Sequence, residues 1–335
     1  MLFRHFLSTA ALCLAPHLAQ AAGLQFVEVP ADGQGPALRG AVWYPCAAPD
    51  GQVQVGRTVL PGVKDCPFPA DSRWPLVVVS HGSGGSFLGH HDTAEALADA
   101  GFAVAAISHP GDNFQDLSRQ GELSVFASRP VDMRRLVDHL QSRWPGAGHL
   151  AEGRVGFFGF SRGGYTGLVA AGAVPDFRQA ALAFCAPMSA VPLCAERRRQ
   201  DLSTPPVRDP RIRAAVIVDP LNAFTADGLK AVAIPLQLWA SEQGGDGVTP
   251  DSVEALRTQL PTPPARRVAA GAAHFAYLAP CSPAQADALP AICRDAPPFD
   301  RAAFHRQFNA EVLAFFRTTL RPAAAGPSMA VRTTP

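Results

Sequence analysis

The chain has 335 residues, of which 47% are hydrophobic and 17% charged, and its formal net charge is +1. This composition supports a large packed core and excludes general disorder. The small net charge gives no electrostatic basis for a nucleic-acid partner. The length suits one large domain with insertions, which we place at residues 22–320.

The first 21 residues have the pattern of a secretory signal peptide. Arg4 and His5 give a polar start, an apolar stretch follows, and the sequence AQA at 19–21 supplies a cleavage site. Pro16 interrupts the apolar stretch, which is shorter than the ~20 residues that a membrane-spanning helix needs. We therefore expect cleavage after Ala21 and a periplasmic or secreted protein without stable membrane insertion.

Cysteine usage agrees with export to an oxidising compartment. Of the seven cysteines, Cys13 lies in the predicted signal peptide, and the others fall along the chain as three local pairs. Each pair brackets a proline-rich loop, which favours disulfides 46–66, 185–194 and 281–293, although six cysteines can pair in other ways. No Cys or His spacing indicates zinc, and we expect neither a metal nor a cofactor.

The predicted elements alternate between strands and helices along the first half of the chain. The apolar run 75–80 is typical of a strand buried on both faces of a parallel sheet. It is preceded by a predicted strand at 38–46 and a loop at 47–74, and followed by a helix at 91–101, a strand at 102–109, a helix opening at Arg129–Pro130 and a strand at 154–160.

The second half continues this alternation. The predicted elements are a helix of small residues after Ser161, strands at 212–220 and 234–241, a short strand within 266–275 that ends near His274, and a last helix at about 304–316. Residues 176–211 are interpreted as an inserted cap or lid, and residues 321–335 as a disordered tail. The alternation predicts an α/β fold with a mostly parallel central sheet flanked by helices.

One glycine-rich segment indicates a nucleophile. Residues 159–163 read GFSRG, a G-x-S-x-G motif placed between a buried strand and a helix. A sharp strand-to-helix turn exposes the serine hydroxyl, and glycines two residues away on either side avoid collisions. We therefore predict that Ser161 is a catalytic nucleophile; the alternative is a plain turn with an idle serine.

A serine nucleophile needs a base and a group that orients the base. His274 follows the last predicted strand among small residues and is the preferred base. Three carboxylates compete as the acid: Asp246 after the strand at 234–241, Asp219 at the end of the strand before it, and Glu242. We prefer Asp246, because the sequence DGVTP that begins with it predicts a turn able to hold the side chain.

The segment HGSGG at 81–85 follows the first buried strand. In an architecture of this kind, that loop and the residue after the nucleophile each supply one backbone N–H to an oxyanion hole. The predicted donors are Ser83 and Arg162. A nucleotide site is not expected, because the sequence has neither a G-x-G-x-x-G helix entry nor a P-loop lysine.

The segments SHGSGGSFLGHHDTAEALADAGFAV, GFFGFSRGGYTG and AAHFAYLAPC together resemble α/β-hydrolases described as predicted dienelactone hydrolases, which are related to platelet-activating-factor acetylhydrolases. The resemblance covers roughly residues 36–318 and implies nucleophile Ser161, base His274 and oxyanion donors at Ser83 and Arg162. The acetylhydrolase type implies Asp219 as the acid, whereas bacterial relatives with a W-A-x-E-Q-D stretch imply Asp246. True dienelactone hydrolases use a cysteine nucleophile, so that particular activity is not expected here.

The sequence therefore predicts an exported serine hydrolase that cleaves small-molecule carboxylic esters through an acyl-enzyme. Two alternatives stay open: an acyltransferase that uses the same acyl-enzyme, and an inactive binding protein on a hydrolase scaffold. The sequence does not indicate the acyl group, the alcohol group or the oligomeric state.

Overall fold

The computed structural model describes residues 22–49, 51–178, 194–196 and 205–320. The predicted signal peptide (1–21), the predicted tail (321–335) and most of the predicted lid (176–211) lie outside the described residues. These three expectations stay predictions.

A central sheet organises the described residues. The strands are β1 (Ala22–Val29), β2 (Leu38–Pro45), β3 (Gln52–Val55), β4 (Thr58–Pro61), β5 (Val63–Lys64), β6 (Trp74–Ser80), β7 (Ala103–Ser108), β8 (Leu150–Phe160), β9 (Ile212–Val218), β10 (Leu236–Ser241) and β11 (Ala265–Ala269). The sheet has the order β11-β10-β9-β8-β6-β7-β2-β1-β5, and β3 pairs with β4 separately. The six strands from β11 to β7 are parallel, while β2 is antiparallel to both of its neighbours.

Helices cover both faces of this sheet. They are α1 (His91–Asp99), α2 (Ser124–Ser142), α3 (Arg162–Ala170), α4 (Ala226–Leu229), α5 (Pro250–Gln259), α6 (Pro283–Ala288), α7 (Pro290–Cys293) and α8 (Arg301–Thr319). Side chains on α2, α3 and α5 share one core cluster with Val78 of β6, and side chains on α1 and α8 share another with Val77. Successive residues of β6 therefore enter opposite cores, which explains the continuous apolar run.

Two features at the start of the domain were missed by the sequence prediction. β1 was not predicted, and the predicted loop at 47–74 contains the short strands β3, β4 and β5. These short strands are partly exposed, so their sequences carry no continuous apolar signal.

The helix predicted to open at Arg129–Pro130 begins five residues earlier, and Pro130 lies inside α2. The missing N–H of Pro130 costs one helical hydrogen bond. The preceding turn is held by other contacts, because Phe126 is fully buried and Arg129 forms a buried ion pair with Asp112. Tertiary contacts thus override the local signal for a helix start.

Two of the three predicted disulfides are confirmed, Cys46–Cys66 and Cys281–Cys293. The third predicted pair includes Cys185, which lies outside the described residues. Across the described ranges, no helix has the length and apolar character needed to cross a membrane.

Candidate active site

The turn between β8 and α3 holds Ser161 in an unusual backbone conformation. Its φ of 55° and ψ of −117° lie where L residues are rarely found. Two contacts with the end of β9 and the residues that follow it hold Ser161 there: the Ser161 N–H donates to the carbonyl of Val218 at 2.9 Å, and the Ser161 carbonyl accepts from the N–H of Leu221 at 3.2 Å. The neighbouring strand thus fixes the turn that presents the serine.

The two glycines of the motif are required by close approach of backbones. A Cβ at Gly159 would lie 2.6 Å from the carbonyl carbon of Gly163, and a Cβ at Gly163 would lie 2.6 Å from the carbonyl carbon of Ser80. Real Cβ atoms essentially never come so close to backbone atoms. The motif therefore allows the end of β6 and the start of α3 to lie against each other.

Gly163→Ala should lower the free energy of unfolding by about 2–3 kcal/mol, because the new methyl group overpacks rigid backbone. Urea unfolding measures this change. The matched control is Gly33→Ala, since a Cβ at Gly33 would meet nothing within 4 Å; its effect should stay within about 0.5 kcal/mol. Equal stability of the two variants would contradict the packing argument.

A buried His–Asp pair lies beside this turn. Nδ1 of His274 is 2.6 Å from Oδ2 of Asp219, and both side chains are 1% exposed. His274 begins a short 3-10 turn, His274–Tyr277, and its N–H donates to the carbonyl of Gly244 at 2.8 Å. The strand predicted to end near His274 ends at Ala269, so a loop rather than the strand itself delivers the imidazole.

Asp219 is held by the adjacent strand β10. The Ser241 N–H donates to Oδ1 at 2.9 Å, and the Ser241 hydroxyl donates to Oδ2 at 2.6 Å. The Asp219 backbone has a φ of 44°, in the left-handed region, and its N–H donates to the carbonyl of Trp239. The two donors fix the direction of the carboxylate toward His274.

In the structure Nδ1 of His274 contacts Asp219, and the preferred acid Asp246 makes no hydrogen bond to His274 among the described residues. Asp246 is exposed, in a turn where Gly245 and Val248 exchange backbone hydrogen bonds. Glu242 is also exposed and accepts a hydrogen bond from the N–H of Gly271. The turn predicted around Asp246 exists, but it holds the carboxylate in solvent, while its flanking residue Gly244 anchors the backbone of His274.

The other imidazole nitrogen of His274 is available for chemistry. Nε2 is buried and has no hydrogen-bond partner among the described residues. The imidazole ring lies 4.6 Å from the ring of Phe160, which directly precedes Ser161. With Nδ1 engaged by Asp219, Nε2 is the ring nitrogen left for proton transfer.

The two predicted oxyanion donors lie on segments that meet at the end of β6. Arg162 is the first residue of α3, and a Cβ at Gly82 would lie 3.3 Å from the Cβ of Ser161, so the loop at 81–85 touches the serine turn. Within the described ranges, the backbone N–H groups of Ser83 and Arg162 donate to no protein acceptor. Free N–H groups at a helix start can bind a developing negative charge.

A buried polar cluster, formed around Asp112, lies behind this loop. The Asp112 carboxylate accepts from the guanidinium groups of Arg129 at 2.5 Å and Arg162 at 2.9 Å, and from the N–H of Gly84 at 3.1 Å. Burial opposes ionisation, but the two arginines hold the pKa of Asp112 below its usual value. The Arg162 side chain is thus engaged by a carboxylate of the protein.

A second Ser–His–Asp chain lies deeper in the same region. His109 places Nε2 at 2.9 Å from the Ser80 hydroxyl and Nδ1 at 3.0 Å from Asp132. Burial lowers the pKa of His109 well below its usual range, and the positive charge of Arg129 adds to this effect. Because the Ser80 hydroxyl is fully buried and also accepts a hydrogen bond from Arg129 at 3.3 Å, we assign this chain a structural role.

The described part of the chain contains no group of three His, Cys, Asp or Glu side chains arranged to hold a metal ion. The described site holds a serine hydroxyl, an imidazole, a carboxylate and backbone N–H groups.

The sheet order and the helices on both faces are those of an α/β-hydrolase fold. Residues 72–223 match the family model described as serine aminopeptidase, S33. Among solved structures, a ferulic acid esterase from Streptomyces cinnamoneus superposes with a TM-score of 0.60 at 21% identity, over 94% of this chain and 95% of that chain. A search of curated proteins found no match. The predicted α/β-hydrolase fold is confirmed.

Two residues of the site were missed by the sequence prediction, Ser241 and Asp112. Ser241 is the last residue of a predicted strand, and Asp112 lies in a loop after another strand. Their position at the carboxyl ends of parallel strands is where ligand sites of open α/β sheets occur, and that position is the signal that would have selected them.

Proposed function

We propose that this protein is an exported serine hydrolase that cleaves small-molecule carboxylic esters. Ser161 is the nucleophile, His274 the general base and Asp219, in place of the predicted Asp246, the orienting acid. The observation that carries the proposal is the buried His274–Asp219 pair, whose Nε2 has no partner among the described residues and whose imidazole ring lies 4.6 Å from the ring of Phe160, the residue before the strained serine turn.

The reaction follows from these positions. Nδ1–H of His274 donates to Asp219, which leaves Nε2 unprotonated, and Nε2 removes the hydroxyl proton as Ser161 Oγ attacks the ester carbonyl carbon. The carbonyl oxygen becomes an oxyanion, and the backbone N–H groups of Ser83 and Arg162 stabilise it.

The tetrahedral intermediate then breaks down in the direction of the acyl-enzyme. The C–O bond to the leaving alcohol breaks, and the alkoxide receives the proton from Nε2 of His274. In the second half, His274 removes a proton from water, the resulting hydroxide attacks the acyl carbon, and Ser161 Oγ leaves and regains its proton. The products are one carboxylic acid and one alcohol, and the enzyme is regenerated.

The choice of esters has support of two kinds. One structural neighbour, which matches over most of both chains, is described as a ferulic acid esterase, and the segments quoted above resemble predicted dienelactone hydrolases. The family model describes a serine aminopeptidase, so an aminoacyl anilide belongs in the test beside the esters. The disulfides Cys46–Cys66 and Cys281–Cys293 support an oxidising compartment.

A fluorophosphonate probe should label the folded protein on Ser161 alone, identified by peptide mass mapping, because only an activated serine reacts with this probe. The labelled protein should lose hydrolysis of p-nitrophenyl acetate in proportion to labelling. A panel of p-nitrophenyl esters, a feruloyl ester and an aminoacyl p-nitroanilide then ranks the substrate classes.

The same experiment separates the alternatives. Absence of label on the folded protein would favour an inactive binding protein. Formation of a new ester when alcohols are added, at the expense of free acid, would favour an acyltransferase.

A further inference from the structure

We propose that Asp112 is a positioning residue that fixes the relative positions of the two oxyanion donors, the backbone N–H groups of Ser83 and Arg162. This inference rests on the proposed function, because it concerns the donors that would stabilise the oxyanion. The carboxylate lies between the loop at 81–85 and the first residue of α3, and its two oxygens divide between these segments.

One oxygen of Asp112 binds the loop. Oδ1 accepts from the N–H of Gly84 at 3.1 Å and from the hydroxyl of Ser83 at 3.4 Å. Nε2 of Gln120 donates to the same hydroxyl at 2.9 Å, so Ser83 is held from a second direction. The side chain of the proposed donor Ser83 is thus hydrogen-bonded to Asp112, and so is the N–H of the next residue, Gly84.

The other oxygen binds the residue after the nucleophile. Oδ2 accepts from the guanidinium groups of Arg162 at 2.9 Å and Arg129 at 2.5 Å. Arg129 also donates to the carbonyl of His81, at the start of the loop. The Arg162 guanidinium lies over the ring of Phe126, 4.7 Å from its centroid, which further limits its movement.

The charged groups of this cluster lie where water competes little. The Asp112 side chain is 0% exposed and that of Arg162 is 9% exposed. Charged hydrogen bonds in such a setting are stronger than the same bonds in water, and loss of one partner leaves the others unsatisfied. A single buried carboxylate therefore couples the loop of Ser83 to the helix start at Arg162.

The consequence for catalysis is specific. An oxyanion hole works only when its donors point at the position that the oxyanion will occupy. A displaced donor weakens binding of the transition state and leaves binding of the substrate almost unchanged. Asp112 should therefore affect kcat, and affinity for tetrahedral analogues, more than KM.

Asp112→Asn keeps the shape of the side chain but removes its charge and one of its acceptor atoms. We expect kcat for p-nitrophenyl acetate to fall about 10- to 100-fold, because displacements near 1 Å have effects of this size. KM should change less than about threefold, because ground-state contacts are retained. The affinity for an alkyl trifluoromethyl ketone, which forms a tetrahedral adduct with the serine, should fall by the same factor as kcat.

The matched control is Asp116→Asn in the same loop. Asp116 accepts from the backbone N–H groups of Gly111 and Ser118 and makes no contact with the loop at 81–85. If Asp112 only stabilised the loop 111–120, both variants would show the same kcat and the same analogue affinity. That result would overturn the inference, as would an unchanged kcat in Asp112→Asn.

A second variant covers the case in which Asp112→Asn does not fold. Arg162→Gln keeps the backbone N–H at the helix start but removes the guanidinium that Asp112 binds, and we expect the same selective loss of kcat and of analogue affinity. If neither changes in this variant, the coupling is wrong. If Ser161→Ala remains active, the proposed function is wrong; if it is inactive while Asp112→Asn has the original kcat, only the present inference fails.

Discussion

Ser161→Ala should reduce kcat/KM for p-nitrophenyl esters by about 10⁴- to 10⁶-fold, as removal of the nucleophile does in serine hydrolases. The remaining site still binds substrate and still presents backbone donors, but no hydroxyl is available to form the acyl-enzyme. Steady-state hydrolysis of p-nitrophenyl acetate measures the loss, and fluorophosphonate labelling should disappear with it.

The substitution is a clean test because it leaves the turn unchanged in its backbone. Alanine and serine are both L residues with a Cβ, so the cost of φ at 55° is the same for both. Urea unfolding should therefore give a similar free energy for both proteins. Ser142→Ala, at an exposed position on α2, controls for a generic effect of removing a hydroxyl and should retain full activity. Activity of Ser161→Ala within tenfold of the original protein would contradict the assignment of Ser161 as the nucleophile.

The position of this serine was predictable because its signal is local. The buried strand, the two glycines and the small-residue helix lie within a dozen residues, and the close contact of Gly163 with β6 gives those glycines their physical reason. The buried parallel strands were predictable for a similar reason, since enclosure on both faces leaves a continuous apolar run. β1 and the short strands β3 to β5 lack that run. The start of α2 depends on a long-range ion pair, between Arg129 and Asp112.

The partner of His274 was not predictable in the same way. Asp219 follows β9 and Asp246 follows the neighbouring strand β10, and both residues have a positive φ in the structure. What separates them is the contact between strands: Ser241, across from Asp219 on β10, donates two hydrogen bonds to its carboxylate. Pairing of a side chain across strands is a tertiary property, and the sequence near either aspartate does not carry it.

Asp219→Asn should lower kcat by about 10³- to 10⁴-fold with little change in KM, an effect of the size seen when the acid of a Ser–His–Asp triad is replaced by its amide. The NH₂ group of the amide would face one of the groups that now contact the carboxylate, which belong to Ser241 and His274. If that group is Nδ1 of His274, the imidazole takes the other tautomer, with the proton on Nε2, and it no longer accepts the proton of Ser161. The amide also lacks the negative charge that stabilises the imidazolium.

The matched variant Asp246→Asn distinguishes the two aspartates. Asp246 is exposed and makes no hydrogen bond to His274, so kcat should stay within about twofold of the original value, as for most surface substitutions. Both variants replace Asp with Asn after neighbouring strands. A difference in rate between them therefore cannot come from the length, volume or charge of the new side chain. A large loss of kcat in Asp246→Asn, with Asp219→Asn active, would return the acid to Asp246. It would require a rearrangement of the loop around Gly244, which now holds the backbone of His274.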